Sequence, residues 1–427
     1  MASSPRAVVR SARSRAWLTA RRLGVVPSGQ PDRLGEDSEL LGSTLPHRVM
    51  VFFPDPPGSL YQLEQWYPTL RVLDAELGVV VVLQDSRTAR AVRERSGLDA
   101  IVVAESTTID DLLLRGPVAV CLYVNHNPAN FTNLRLGQLV HVSLMHGDSD
   151  KSVSVSNQLK AYDYAFVAGQ AAVDRVAASV AEYDAAARCH PVGRPQIDEL
   201  LEAVDAACDV PGDDARTAVL YAPTWEGPQP TAAYGSVATH GEALVRSLLD
   251  AGRFRVVYRP HPLTGVRSSE YAAADARIRA LVTEAAGGGH RVDVGVPVAR
   301  SFADADLLVC DISGVAVDWL ALDRPLVITE PADPRAWQGE SPLREAVPGL
   351  PVGDAARFSA RVGALMADDG ARLARERLAG YYLGEVAPGA ATKRFVAACH
   401  DVIRRRSGDA RAIDTVVATS AADEKGV

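Results

Sequence analysis

Short, continuously apolar runs alternate along most of this chain with segments whose apolar positions recur every three or four residues. The run 48–54 (RVMVFFP) reads as a buried strand. Residues 59–77 read as a helix carrying Leu60, Leu63, Trp66, Leu70, Leu73 and Leu77 on one face. Strands are predicted next at 79–83, 100–104, 118–124 and 139–145, with helices at 87–95 and 109–114. A second series begins near Arg216. Its strands are predicted at 218–222, 255–258, 290–294, 307–310 and 326–329, and its helices at 242–249, 270–286 and 315–322. Further helices are predicted between about 355 and 406. Strands that are apolar on both faces, separated by helices, are the pattern of a parallel sheet covered on both sides. The chain therefore predicts an α/β architecture of two Rossmann-like, doubly wound parallel-sheet domains.

The expected divisions are an arm (1–45), an N-terminal domain (46–207), a linker (208–215), a C-terminal domain with terminal helices (216–406) and an unstructured tail (407–427). The linker follows from the Pro/Gly/Asp-rich stretch CDVPGDD, and the tail from its small, polar residues. Two such sheets with facing strand ends predict a ligand cleft between the domains.

Composition adds a division of charge. The 427 residues hold 45 Lys+Arg against 53 Asp+Glu, a net charge of −8. Residues 1–30 hold Arg6, Arg10, Arg13, Arg15, Arg21 and Arg22 and no acid, so the arm is +6 and the rest −14. That balance excludes a uniformly basic nucleic-acid binder, and 47% hydrophobic residues exclude a disordered chain. No apolar run is long enough to span a bilayer. Drawn as a helix, the arm gathers Arg6, Arg10, Arg13 and Arg21 within an arc of about 80°, opposite Val8, Val9, Ala12, Ala16 and Leu23. This fits either a helix lying on an anionic membrane surface or a plain basic tail. The cysteines Cys121, Cys189, Cys208, Cys310 and Cys399 are too scattered for a zinc site and read as reduced, mostly buried thiols of a cytosolic protein.

Ligands of such sheets bind outside the carboxyl ends of the strands, which serves as a filter for chemistry. His146, Gly147, Asp148 and Lys151 follow the strand at 139–145. Thr224 and Trp225 follow 218–222, Arg259 and His261 follow 255–258, and Asp311, Ser313 and Gly314 follow 307–310. Ser313 is an expected N-cap for the helix after it, whose first amides suit a phosphate. Arg259 and His261 suit a diphosphate, or else an internal ion pair and a backbone bond. His146 beside Gly147 suits a base on a tight turn, or a structural histidine. Asp148-Ser149-Asp150 is open to a metal-binding reading, although acidic loop residues after glycine are common. No phosphate-binding glycine loop follows a strand; Gly287-Gly288-Gly289 precedes one.

In order and spacing these segments resemble the CDP-glycerol glycerophosphotransferase family of teichoic-acid primases and polymerases. The family pattern HGTPLK, YDY, a GxPR-like turn, LYAPTWR, RPHP and TDYSSVFFDYALLKRP is matched by six segments. They are HGDSDK (146–151), YDYAFVAG (162–169), VGRPQID (192–198), VLYAPTWEG (219–227), YRPHP (258–262) and CDISGVAVDWLALDRPLV (310–327). The resemblance implies a GT-B-type fold and transfer of a polyol phosphate, glycerol phosphate first, from a CDP-activated donor to an acceptor hydroxyl with release of CMP. It implies His146 as the general base, with Gly147, Asp148 and Lys151 on the acceptor side. It implies that Arg259 and His261 contact the donor phosphates, His261 with a catalytic part. Asp311, Ser313 and Gly314 would bind the donor's phosphate or polyol, and Thr224 and Trp225 would line the cytidine side. CDP-glycerol or CDP-ribitol is the expected donor substrate and no further cofactor is required, metal dependence being open. The expected partners are a lipid-linked acceptor and the cytoplasmic face of the membrane, with peripheral attachment and no nucleic acid. The chain departs from the pattern at Asp148-Ser149-Asp150, Glu226, Ile312 and Gly314, which keeps open a GT-B glycosyltransferase using a nucleotide sugar and a non-catalytic nucleotide-binding relative.

Overall fold

The computed structural model describes residues 35–145, 148–150, 156–208, 216–227, 229–285, 288–336 and 341–423. They pack as two compact units. One takes in the chain up to Leu144, Ala161–Asp163 and the chain from Cys399; the other is Met145–Lys160 and Tyr164–Ala398.

The first unit holds β1 (Val49–Phe53), β2 (Val79–Leu83), β3 (Asp99–Val102), β4 (Val120–Tyr123) and β5 (Val140–Ser143), all parallel, in the order β3-β2-β1-β4-β5. Every residue of β1, β2 and β4 is buried, which explains their unbroken apolar sequence. Side chains of Phe52, Val80, Val82, Cys121 and Tyr123 pack with Ile109, Leu112 and Tyr162 in one core. The single helix predicted at 59–77 is two, Tyr61–Glu64 and Tyr67–Leu77. Pro68 is the cause: without an N–H it fits only the first turn of a helix, so a new helix starts at Tyr67.

The second unit holds β8 (Thr217–Ala222), β9 (Phe254–Tyr258), β10 (Arg291–Val292), β11 (Leu307–Cys310), β12 (Leu326–Thr329) and β13 (Gly349–Leu350), parallel and in the order β10-β9-β8-β11-β12-β13. It also holds the parallel pair β6 (Tyr164–Val167) and β7 (Cys189–Pro191). The pattern did not predict β6, β7 or β13; three residues in β7 and two in β13 are too few to show a period. Cores lie on both faces of the β8–β13 sheet, one around Phe302, Trp319, Leu308 and Leu326, the other around Tyr221, Val256, Leu244 and Phe358.

The sequence sets its boundary at 208–215, yet residues 164–208 pack with the chain beyond that boundary. The helix Pro195–Cys208 lies against the helix Val298–Ala303, with Ile197 and Leu200 in the Phe302 core. The tail also differs from expectation, since the helix Ala390–Asp423 runs through most of 407–427. The segment has no proline and one glycine within that helix, and its alanines and arginines are good helix formers.

Cys121, Cys189, Cys310 and Cys399 are buried and none is in a disulfide. Burial pushes the Cys121 thiol up to about 12 and Cys189 to about 11, so neither is a ready nucleophile. Among the described residues no helix is long and apolar enough to cross a membrane.

Candidate functional site

β8 lies between β9 and β11, with Tyr221 opposite Tyr258 and Ala222 opposite Cys310. The loops 223–226, 259–262 and 311–314 therefore leave the same edge of the sheet side by side. The chain continues from β8 to β9 on one side and returns from β10 to β11 on the other, so this edge is the topological switch point.

Asp311 is fully buried in the middle of it. Its Oδ2 accepts from the backbone N–H of Thr224 (2.7 Å) and of Ser236 (3.1 Å), and its Oδ1 from Thr329 Oγ1 (2.5 Å). Burial pushes its pKa up, and these hydrogen bonds pull it back. Asp311 was expected to touch the donor. Its hydrogen bonds tie the segment after β11 to the connection after β8 and to the end of β12. Ser313 takes the N-cap place of the helix Gly314–Trp319 in extended backbone, without the expected side-chain cap. Its hydroxyl donates backward to Asp311 O at 3.1 Å, because an Asp-x-Ser turn offers a nearer acceptor.

Arg259 is half-buried, and burial lowers its pKa while Asp293 raises it. Its Nη1 donates to Ser301 Oγ (3.1 Å), which donates to Asp293 Oδ2 (2.6 Å). Asp293 in turn accepts from Arg291 Nε at 2.8 Å. The guanidinium is thus held from one side through Ser301. His261 Nδ1 accepts from Leu263 N (3.1 Å), which leaves the proton of a neutral ring on Nε2. The ring stacks on Trp225, centroids 6.4 Å apart and planes 24° from parallel. Glu226, where the family pattern has arginine, accepts from the backbone N–H of Gly265 (3.0 Å), Arg267 (2.8 Å) and Ser268 (3.0 Å). Burial raises its pKa, but these amides bring it below the usual glutamate value. It ties the loop after β8 to the loop after β9.

His146, Gly147 and Lys151 lie outside the described residues. Met145, immediately before them, has φ of +54°, a rare backbone for a side-chain-bearing residue. After them Arg175 bridges the two loop carboxylates, Nη2 donating to Asp148 Oδ1 and Nη1 to Asp150 Oδ1 at 2.6 Å. Asp150 Oδ2 also accepts from Ser341 Oγ (2.5 Å) and Tyr382 Oη (2.7 Å). Burial pushes Asp148 above the usual carboxylate range, opposed by Arg175 and Arg194. The two added charges are therefore held internally by Arg175. Among the described residues no group of three or more His, Cys, Asp or Glu is arranged to hold a metal. A Cβ on Gly314 would come within 3.1 Å of Asp148 O, so the glycine that replaces the family's second serine makes room for this segment.

Two other motif residues are structural. Arg194 of VGRP forms a paired bridge to Asp318 (Nε–Oδ1 2.9 Å, Nη2–Oδ2 3.0 Å). A Cβ on Gly169, the last residue of YDYAFVAG, would lie 2.5 Å from Tyr382 O, a contact that excludes any side chain. The strand-end rule also covers β1 and β4, which the sequence reading left out. Asp55, Asn125 and His126 follow those strands, and the same rule would have found them.

No curated protein matches this sequence. Solved structures that resemble it include the wall teichoic acid polymerase TagF soaked with CDPG, at TM-score 0.51 and 15% identity over 84% of this chain and 89% of that one. A putative UDP-N-acetylglucosamine 2-epimerase from Listeria monocytogenes aligns at TM-score 0.52 and 13% identity, over 84% of this chain and 98% of that one. The S. aureus MnaA–UDP co-structure aligns at 0.51 and 14%, over 82% and 95%. These are likenesses of fold, and they identify the two parallel sheets with their helices as GT-B-type. The family model for CDP-glycerol:poly(glycerophosphate) glycerophosphotransferase matches residues 100–333, more than half of the sequence, and the chain belongs to that family.

Proposed function

We propose that the chain moves a polyol phosphate, glycerol phosphate first, from a CDP-activated donor to a hydroxyl of a lipid-linked or teichoic-acid-like acceptor. The acceptor oxygen bonds to the phosphorus that bears the polyol. The bond from that phosphorus to the bridging oxygen breaks, CMP leaves with the electron pair, and the hydroxyl proton passes to a base. The observation that carries this is Arg259 and His261 on one strand end at the switch point, in a chain of this family. A guanidinium held on one side by Ser301 keeps its other N–H groups for phosphate oxygens, and a histidine protonated on Nε2 donates to one. Such positioned donors do most of the work in phosphoryl transfer, where charge spreads over the oxygens. Ser313 and Gly314 border the same edge on the polyol side, and Thr224 and Trp225 on the cytidine side. His146 is the base by its place in the HGDSDK motif. The donor brings its own activated phosphate, so the scheme needs no cofactor.

Labelled CDP-glycerol and CDP-ribitol, each with a lipid-linked glycerol-phosphate acceptor, test this. CMP release that depends on acceptor supports it. Absence of CMP release from both donors, with nucleotide released from UDP- or GDP-sugars, would establish sugar transfer instead. His146→Ala should abolish turnover while donor binding persists; retained turnover refutes the base.

A further inference from the structure

The first unit has its own switch point. β1 pairs with β2 on one side and β4 on the other, the chain running on from β1 to β2 and from β4 to β5. The crevice outside the carboxyl ends of β1 and β4 is where such a sheet binds ligands. Asp55 stands two residues beyond the end of β1, and Asn125 two beyond the end of β4.

Their side chains are joined. Asn125 Nδ2 donates to Asp55 Oδ2 and to Gln62 Oε1, both at 2.8 Å, and Asn127 Nδ2 donates to the same Asp55 oxygen at 2.8 Å. Asn127 Oδ1 accepts from Ala129 N, and Asn130 Nδ2 donates to Asn125 O, each at 2.8 Å. The carboxylate fixes which end of the Asn125 amide is the nitrogen. What it leaves over is informative. Asn125 is only 6% exposed, yet its Oδ1 meets no partner among the described residues, and neither does the buried Nδ1 of half-buried His126. Buried polar atoms are normally satisfied, so two orphans at a switch point ask for a ligand. Asp311, at the corresponding place in the other sheet, differs in having both oxygens occupied by protein donors.

We propose that Asp55, Asn125, His126 and Asn127 form a binding site for a neutral, hydroxyl-rich group, a polyol or a sugar, and that it holds the acceptor. The orphan amide oxygen and the carboxylate accept hydrogen bonds, so the ligand must donate them, as hydroxyls do. Among the described residues no Lys or Arg bonds to any of the four side chains. An unneutralised Asp55 therefore disfavours a phosphate and favours a pair of hydroxyls. The word acceptor rests on the proposed transfer; the ligand chemistry does not.

His126→Phe is the sharpest variant, because it keeps a ring while removing both ring nitrogens, the orphan Nδ1 among them; Asn127→Ala is the second. In the transfer assay each should raise the acceptor KM about tenfold, the scale of one hydrogen bond, with the CDP-glycerol KM unchanged. An unchanged acceptor KM in both, or an equal rise in donor KM, overturns the site. Without donor, saturation-transfer NMR on the full chain is read with ribitol, a methyl glycoside and inorganic phosphate. Transfer to ribitol or the glycoside that is lost in His126→Phe supports the site, and which of the two responds tells polyol from sugar. No transfer to either, equal transfer in the variant, or displacement by phosphate overturns it. If the NMR result holds while no CDP-polyol yields CMP, the proposed reaction falls and the site stands.

Discussion

At the scale of single residues, two carboxylates change meaning between sequence and structure. Glu226 looks like a lost arginine, but its carboxylate closes three backbone amides and joins two loops of the candidate site. Its folded pKa lies below the usual 4.5, so its contribution to stability is present above that value and lost as pH falls through the folded one. Glu226→Gln should therefore flatten the fall of the urea midpoint below pH about 4.5; an unchanged curve would show that the amides do not depend on the charge. Asp311 reads from sequence as a donor contact. If it instead ties the connection after β8 to the end of β12, Asp311→Ala strands two buried N–H groups and a hydroxyl, at about 1–3 kcal/mol each when unsatisfied. Urea unfolding should show a loss of at least about 3 kcal/mol, with Asp311→Asn, which still accepts, losing less than half of that. Full stability in Asp311→Ala, with a raised donor KM, would restore the contact role. The filter that found Asp311, Thr224, Arg259 and His261 uses local sequence only. It could not show that Ser236 and Thr329, far along the chain, consume the Asp311 carboxylate, or that Ser301 and Asp293 stand behind Arg259.

At the scale of elements, the strands were legible because burial on both faces leaves an unbroken apolar run, as in VMVFF and VVVVL. Short pieces such as Cys189–Pro191 and Gly349–Leu350 carry too few residues for that signal, and a proline splits what periodicity alone joins at 59–77. The motifs turn out to be packing devices as well as chemistry. VGRP and VAVDW meet through Arg194 and Asp318, so the helix Pro195–Cys208 is anchored to the helix that follows the Asp311 loop. Arg194 is buried and its pKa is kept up by Asp318, against the cost of burial. Removing one partner leaves the other charge uncompensated, whereas removing both does not. Arg194→Met should lower stability by about 3–5 kcal/mol, and Arg194→Met with Asp318→Leu should recover most of it in a urea double-mutant cycle. Additive losses would mean that the pair is not coupled.

At the scale of the whole molecule, the sequence fact with the widest reach is the uneven charge. The net −8 divides into +6 on residues 1–30 and −14 on the rest. Residues 1–34 lie outside the described structure, so charge alone carries the expectation. Among the described residues no helix can cross a bilayer, and a body carrying −14 is repelled by an anionic surface. The lipid-linked acceptor of the proposed reaction would nevertheless have to be met at such a surface. The six arginines are the one strongly cationic stretch free of acid, and each basic residue near an anionic leaflet is worth about 1 kcal/mol. The apolar side of the arm is mostly alanine and valine, so insertion adds little and charge should dominate. Full-length protein should therefore sediment with vesicles rich in anionic lipid and not with neutral ones. Binding should weaken steeply as salt rises past about 0.1 M, where the screening length falls to about 10 Å. Deleting residues 1–30 should abolish sedimentation and leave turnover of a soluble acceptor unchanged. If the truncated protein still sediments, attachment resides in the body and the charge division has no part in it; if the full chain binds neutral and anionic vesicles alike, apolar insertion drives the attachment.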